Sequence, residues 1–228
     1  MLGRNPIRAQ ELGDGNSLWV QEVFYTLQGE GPFSGEPGVF VRLAGCNLRC
    51  MWCDTEFESS TWHPTLDELV ARIAEIRPAH CALVVLTGGE PLRQNVVPLI
   101  HRLLDRGLRV QIETNGTLWL DLPADRRLTV VCSPKTPLLH PSLVPRIDAY
   151  KYVLQAGALD PADGLPSAST QIPGQPARMF RPPAGKPVYV MPCDEAGRAE
   201  ENRRAATESA LAHGYRLTLQ LHKIAGLP

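Results

Sequence analysis

Nowhere do the 228 residues hold about 20 consecutive apolar side chains, which excludes a membrane-spanning helix of ordinary length. The first residues carry no apolar stretch of signal-peptide length, so a cytoplasmic protein with no membrane partner is expected. A formal net charge of -1 leaves no surplus of cations to neutralise phosphates, so direct contact with nucleic acid is not expected. No internal repeat is present. Of six cysteines, Cys81, Cys132 and Cys193 are isolated and form no second pair. In a reducing compartment they stay as thiols or metal ligands, against a disulfide framework. The other three, Cys46, Cys50 and Cys53, lie together, and no fourth cysteine lies nearby.

Those three fall at the spacing C-x3-C-x2-C within Gly45-Cys46-Asn47-Leu48-Arg49-Cys50-Met51-Trp52-Cys53-Asp54-Thr55. Three thiolates this close can converge on one soft metal centre. A structural zinc completes four protein ligands, and an iron-sulfur electron carrier recruits a fourth cysteine. Three ligands on a four-iron cluster leave one iron open to a small molecule. A zinc knuckle or a disulfide-bonded loop is the bland alternative. The stretch closely resembles the signature of the radical S-adenosylmethionine (SAM) enzymes. That resemblance implies a 4Fe-4S cluster whose open iron is chelated by the amino and carboxylate groups of SAM, and whose electron cleaves SAM to a 5'-deoxyadenosyl radical.

Hydrophobic content of 43% and charged content of 21% suit one globular domain over residues 1–228. Residues 1–17 read as a loose polar arm. Strands are expected over 18–25 and 39–43, the second feeding the cysteines. Thr65 caps a helix with Glu68 as capping-box partner, and Leu66, Leu69, Val70, Ile73 and Ile76 form its apolar stripe. The apolar run 82–86 reads as a parallel strand covered on both faces. A helix over 96–106 follows, stopped by Gly107. Strands at 108–112, 129–132, 149–154 and 187–191, a helix over 195–213 stopped by Gly214, and a strand at 217–221 complete the pattern. Residues 160–185, rich in Pro, Gly and Ser, read as a surface excursion. The fold expected is α/β, a partial (β/α) barrel with a mostly parallel sheet, lacking some outer helices, in preference to a doubly wound sheet.

Each apolar strand delivers polar residues at its C-terminal end, where such folds place ligands. Thr87-Gly88-Gly89-Glu90-Pro91 is by itself a strand-to-helix turn. Downstream of the cysteines it matches the radical SAM motif that holds the SAM amino group through backbone and Glu90. Ser133 and Lys135 suit a carboxylate or hydroxyl ligand, against a solvated turn. Glu113 and Asn115, with Thr114, serve ribose binding or support of the ligand's neighbours. Met191, Pro192, Cys193 and Asp194 border the adenosyl group, and Trp52 and Asp54 join the SAM-binding set by resemblance.

Thr26-Leu27-Gln28-Gly29-Glu30-Gly31, Phe40 to Cys50, Cys53-Asp54-Thr55 and the terminal Leu219-Gln220-Leu221-His222-Lys223 with Gly226-Leu227-Pro228 resemble the 7-carboxy-7-deazaguanine synthase family. The resemblance runs from Val20 to the last residue. It implies conversion of 6-carboxy-5,6,7,8-tetrahydropterin to 7-carboxy-7-deazaguanine with loss of ammonia. The product feeds queuosine-type 7-deazapurine biosynthesis and thus tRNA modification. A pterin acid needs a cation for its carboxylate and hydrogen-bonding groups for its pyrimidine edge. Arg42 suits the first by bidentate geometry. Gln28, Glu30 and the Leu27 backbone suit the second, with Thr87 and His222 added by resemblance. The resemblance also implies Mg2+ at Thr55, a terminal Pro228 carboxylate reaching the substrate, a homodimer, and a reductant protein such as flavodoxin or ferredoxin. Arg42 as a surface ion-pair partner, Thr55 as a loop cap and His222 as a structural histidine are the alternatives. For the whole chain they are a small radical SAM activase acting on a partner enzyme, and a structural zinc or iron-sulfur module.

Overall fold

The structure, a computed structural model, describes residues 5–53 and 55–227, so the expectations on Asp54 and Pro228 lie outside the described residues. Eight strands form one sheet: β1 (Val20–Leu27), β2 (Pro37–Leu43), β3 (Leu83–Gly88), β4 (Arg109–Thr114), β5 (Leu128–Cys132), β6 (Ala149–Leu154), β7 (Val188–Pro192) and β8 (Arg216–Leu217). Their order in space is their order in sequence. Strand β1 runs antiparallel to β2, and β2 to β8 are all parallel. A doubly wound sheet reverses its strand order at a switch point. Here the order never reverses, which is the order of a barrel. No pairing joins β1 to β8 among the described residues, so the barrel is open along one seam.

Helices α1 (Leu66–Ile76), α2 (Val97–Asp105) and α3 (Ala199–His213) follow β2, β3 and β7, and the short α4 (Leu221–Ile224) follows β8. The Thr65 capping box is formed: its hydroxyl accepts from the Glu68 amide at 3.3 Å, and the Glu68 carboxylate accepts from the Thr65 amide at 2.8 Å. Leu66, Leu69, Val70 and Ile73 are buried from the face this cap orients. Gly214, at a φ of 70°, takes the left-handed turn that stops α3. The strand expected over 217–221 is only two residues long, because the chain leaves the sheet after Leu217 and α4 crosses toward β1.

Alternation along the strands sorts the barrel. Val39, Val41, Val84, Leu86, Val110, Ile112, Tyr150 and Tyr152 belong to the outer apolar core, while Phe40, Arg42, Thr87, Glu113, Lys151 and Val153 line the interior. No α-helix covers the links from β4 through β7 among the described residues. The excursion 160–185 replaces one of them. Leu165 and Met179 are buried, Phe180 stacks on Tyr150 at 5.9 Å, and the Tyr152 hydroxyl donates to the Phe180 carbonyl at 2.6 Å. The arm before β1 is not loose either. Arg8 N–H donates to the Cys46 carbonyl at 2.8 Å, and the buried Arg93 guanidinium donates to the Ala9 carbonyl at 3.2 Å. A guanidinium in so dry a place needs acceptors, and the arm supplies both the Ala9 carbonyl and the Glu11 carboxylate, the latter 3.2 Å away. No helix is long and apolar enough to cross a membrane among the described residues.

Candidate active site

The strand ends and the cysteine loop enclose one cavity of about 450 Å³. Cys46, Cys50 and Cys53 all line it. Backbone contact seats their loop. Gly45, at a φ of 80°, receives the Glu90 amide on its carbonyl at 3.0 Å, and a Cβ on Gly89 would strike that carbonyl and Cys46. Only glycine fits at 89, which explains the Gly-Gly pair. Among the described residues, no three of His, Cys, Asp or Glu converge closely enough to hold one ion. The three thiols of this loop, gathered around a shared space, are the donor set of a cluster larger than one ion, and Cys193, just after β7, lines the same cavity.

Most residues singled out from sequence meet here. Gln28, Glu30, Arg42, Trp52, Thr55, Thr87, Gly88, Gly89, Glu113 and Asn115 line the cavity. So do Ser133, Lys135, Met191, Pro192, Cys193, Asp194 and His222. Leu27 and Glu90 do not. Leu27 ends β1 opposite Pro37. The Glu90 carboxylate is fully buried and accepts from the Leu92 amide at 3.0 Å, the Thr114 hydroxyl at 2.7 Å and the Asn115 amide at 2.7 Å. Burial nevertheless raises its carboxyl to about 7, since those bonds offset only part of the lost hydration. Glu90 thus ties β3 to β4, while the cavity wall beside it is the Gly88-Gly89 backbone.

The floor is a buried polar network. Lys151 forms an ion pair with Glu30 and stands 3.6 Å from Glu113. The Gln28 and Gln111 side-chain amides each donate to Glu113 at 2.9 Å, and the Thr87 hydroxyl donates to it at 3.3 Å. Burial works against the charged form of Glu30, but the Lys151 ammonium outweighs it and the carboxyl titrates below its usual range. Burial likewise works against the Lys151 ammonium, and Glu113 and Glu30 outweigh it, raising it. One ammonium therefore faces two carboxyl groups, leaving acceptor capacity at the cavity floor. Gln220 contributes a further hydrogen bond to Glu30, and His222 lies against Gly29, where a Cβ would strike its ring.

Two cations stand higher on the wall. Arg42 Nε lies 2.7 Å from the Glu22 carboxylate and 5.3 Å separates its guanidinium carbon from the Phe24 ring centre. Nε makes no aligned hydrogen bond, so the contact with Glu22 is an ion pair, and the Arg42 side chain lines the cavity. Lys135 donates to the Ser133 hydroxyl at 2.6 Å and sits 4.9 Å from the centre of the Trp52 ring. Burial lowers its pKa. The Asn115 amide donates to Asn47 at 2.9 Å, joining β4 to the cysteine loop.

Lys151, Gln111 and Gln220 are given no role by the sequence. Lys151 had a signal: a lone lysine in an apolar strand, between tyrosines that face the other way. The contacts of Thr170 and Gln171 with the cysteine loop had none, because an irregular Pro-rich segment has no period to read.

Residues 41–144 match the family described as the Radical SAM superfamily. A 7-carboxy-7-deazaguanine synthase of Rhodospirillum rubrum is 65% identical over 231 residues, covering 98% of this chain and 98% of that protein. One from Rickettsia prowazekii is 38% identical over 239 residues, covering 100% of this chain and 96% of that protein. The crystal structure of QueE from Escherichia coli superposes with a TM-score of 0.65 at 25% identity, covering 90% of this chain and 94% of the other.

Proposed function

Since the chain belongs to the 7-carboxy-7-deazaguanine synthase family of radical SAM enzymes, we propose that it is the lyase that converts 6-carboxy-5,6,7,8-tetrahydropterin to 7-carboxy-7-deazaguanine with loss of ammonia. The observation that carries the reading is the single cavity in which three thiols face a floor of hydrogen-bond acceptors and a wall of cations. Cys46, Cys50 and Cys53 would hold the 4Fe-4S cluster, with SAM beside it. When bound, this pair supplies the hydrogen-atom abstraction with which ring contraction begins.

The chain's own residues orient and enclose the substrate. A pterin presents N–H donors along its pyrimidine edge, and Glu30, kept ionised by Lys151, accepts them with Gln28 as partner. Arg42 takes the substrate carboxylate, and Thr87 and His222 close the pocket around the ring. The Gly88-Gly89 backbone, Ser133, Lys135 and the segment Met191 to Cys193 form the wall for SAM. Phe24, Phe40 and Val153 keep water from the reacting carbon. Further parts of the reading are Thr55, which would hold Mg2+ and with it supply positive charge for the substrate carboxylate, Asp54 beside SAM, and Pro228 against the substrate. They also include a homodimer, a flavodoxin or ferredoxin as electron donor, and a cytoplasmic setting.

Anaerobic turnover of the reconstituted protein with SAM, Mg2+ and 6-carboxytetrahydropterin tests the proposal. The deazaguanine acid is the expected product. Formation of 5'-deoxyadenosine without it would overturn the substrate while leaving the radical SAM chemistry.

A further inference from the structure

The excursion 160–185 was left without a role by its sequence, yet its tip reaches the cysteine loop. The Thr170 carbonyl accepts the Met51 amide at 2.8 Å. The Gln171 side chain accepts the Arg49 amide on Oε1 at 2.9 Å, which leaves Nε2 pointing at the Cys50 sulfur, 3.2 Å away. The orientation of this amide follows from its partners. A backbone N–H can only donate, so the atom facing Arg49 is the oxygen and the atom facing sulfur carries hydrogen. Thr170 agrees with this orientation: its hydroxyl donates to the Lys135 carbonyl at 3.1 Å and so accepts the other Nε2 hydrogen at 2.6 Å.

The three cysteines are thus served unequally. Cys46 receives a backbone amide from within its own loop, Leu48 N–H at 3.4 Å. Cys50 receives a side-chain amide from a residue 121 positions away. We propose that Gln171 raises the reduction potential of the cluster held by these cysteines, by donating a hydrogen bond to the Cys50 sulfur. The proposal rests on the reading of the three thiolates as cluster ligands. Reduction adds one electron and no proton, taking the four-iron core from 2+ to 1+. With three thiolates the centre passes from a net charge of about -1 to about -2. An N–H dipole aimed at a ligand sulfur stabilises the more negative state. The electron comes from a one-electron, low-potential donor, a reduced flavin or iron-sulfur protein, which the amide makes more able to load the centre.

The test is a redox titration followed by electron paramagnetic resonance. It uses anaerobically reconstituted wild type, Gln171→Leu and Gln171→Glu, reduced with dithionite and low-potential mediators. Leu removes the donor, whereas Glu keeps the acceptor for Arg49 and replaces the donor with a negative oxygen. Both variants are expected to retain wild-type iron content and to titrate at more negative potential, Glu further than Leu. A tenfold loss in the reduction constant corresponds to about 59 mV for a one-electron couple. A potential unchanged in both variants overturns the proposal. So does failure of both to take up iron, which would make the contact a scaffold of the loop. Wild-type protein that binds no cluster overturns the reading of the thiolates themselves.

Discussion

An ammonium held between Glu30 and Glu113, with its side chain only 8% exposed, leaves two buried carboxyl groups facing each other once it is removed. Removing one partner of such a pair costs about 3–5 kcal/mol. Lys151→Met is therefore expected to lower stability by about 3 kcal/mol in urea unfolding. In turnover it is expected to raise KM for the pterin acid more than KM for SAM. Wild-type stability in this variant would show that Lys151 is not what holds the carboxyl groups together. Glu90 makes a different prediction. Its native carboxyl holds a proton up to about 7, against 4.5 for the free group, so between those values the folded chain binds a proton that the unfolded chain has released. The contribution of this group is fully present below the unfolded value. It falls as pH rises and is lost above about pH 7, with a slope of at most about 1.4 kcal/mol per pH unit. Urea midpoints between pH 5 and 7.5 should fall less steeply in Glu90→Gln than in wild type; parallel curves would sink this account. At this scale the sequence was informative about which residues meet and less so about their tasks. Glu90 sits in a recognisable motif, but its side chain is consumed by Thr114, Asn115 and Leu92, which no motif spells out.

Among the elements, the turn after β3 carries a tight steric demand. A Cβ at residue 89 would strike the Gly45 carbonyl and Cys46, both on the cysteine loop. Gly89→Ala is expected to push that loop outward and to cut iron bound per chain at least severalfold, measured after anaerobic reconstitution, while the helices keep their far-ultraviolet signal. Full iron content would mean the loop yields without losing its thiols. Helices and inner strands were legible because their signals are local and periodic: Thr65 with Glu68, the α1 stripe, and the apolar run of β3. What irregular segments cover was not legible. Phe180 over Tyr150 and Ala9 on Arg93 join residues remote in sequence through shapes that have no period.

Over the whole molecule, the partial barrel followed from the alternation of strands and helices and from polar residues at every strand end. The closure of its open side did not. The terminal segment read as a strand, yet it pairs with β7 over only Tyr189–Arg216 and Val190–Leu217 before turning toward β1. Nothing in a short apolar stretch distinguishes a strand from a chain that crosses a mouth. Deleting residues 221–228 is expected to leave the cluster and the fold intact and to raise KM for the pterin acid about tenfold or more, the loss of one to a few hydrogen bonds at about 1.4 kcal/mol per decade. Unchanged kinetics would remove the segment from the pocket. The seam itself has a temporal consequence. Contact between His222 and Gly29 joins positions at nearly opposite ends of the chain through few atoms, whereas β2 to β4 are held by continuous ladders. Such a junction forms last in folding and opens first in native fluctuations. Amide exchange in Leu221–Ile224 should therefore outpace that of the inner strands, the mouth loosening while the ladders of β2 to β4 hold.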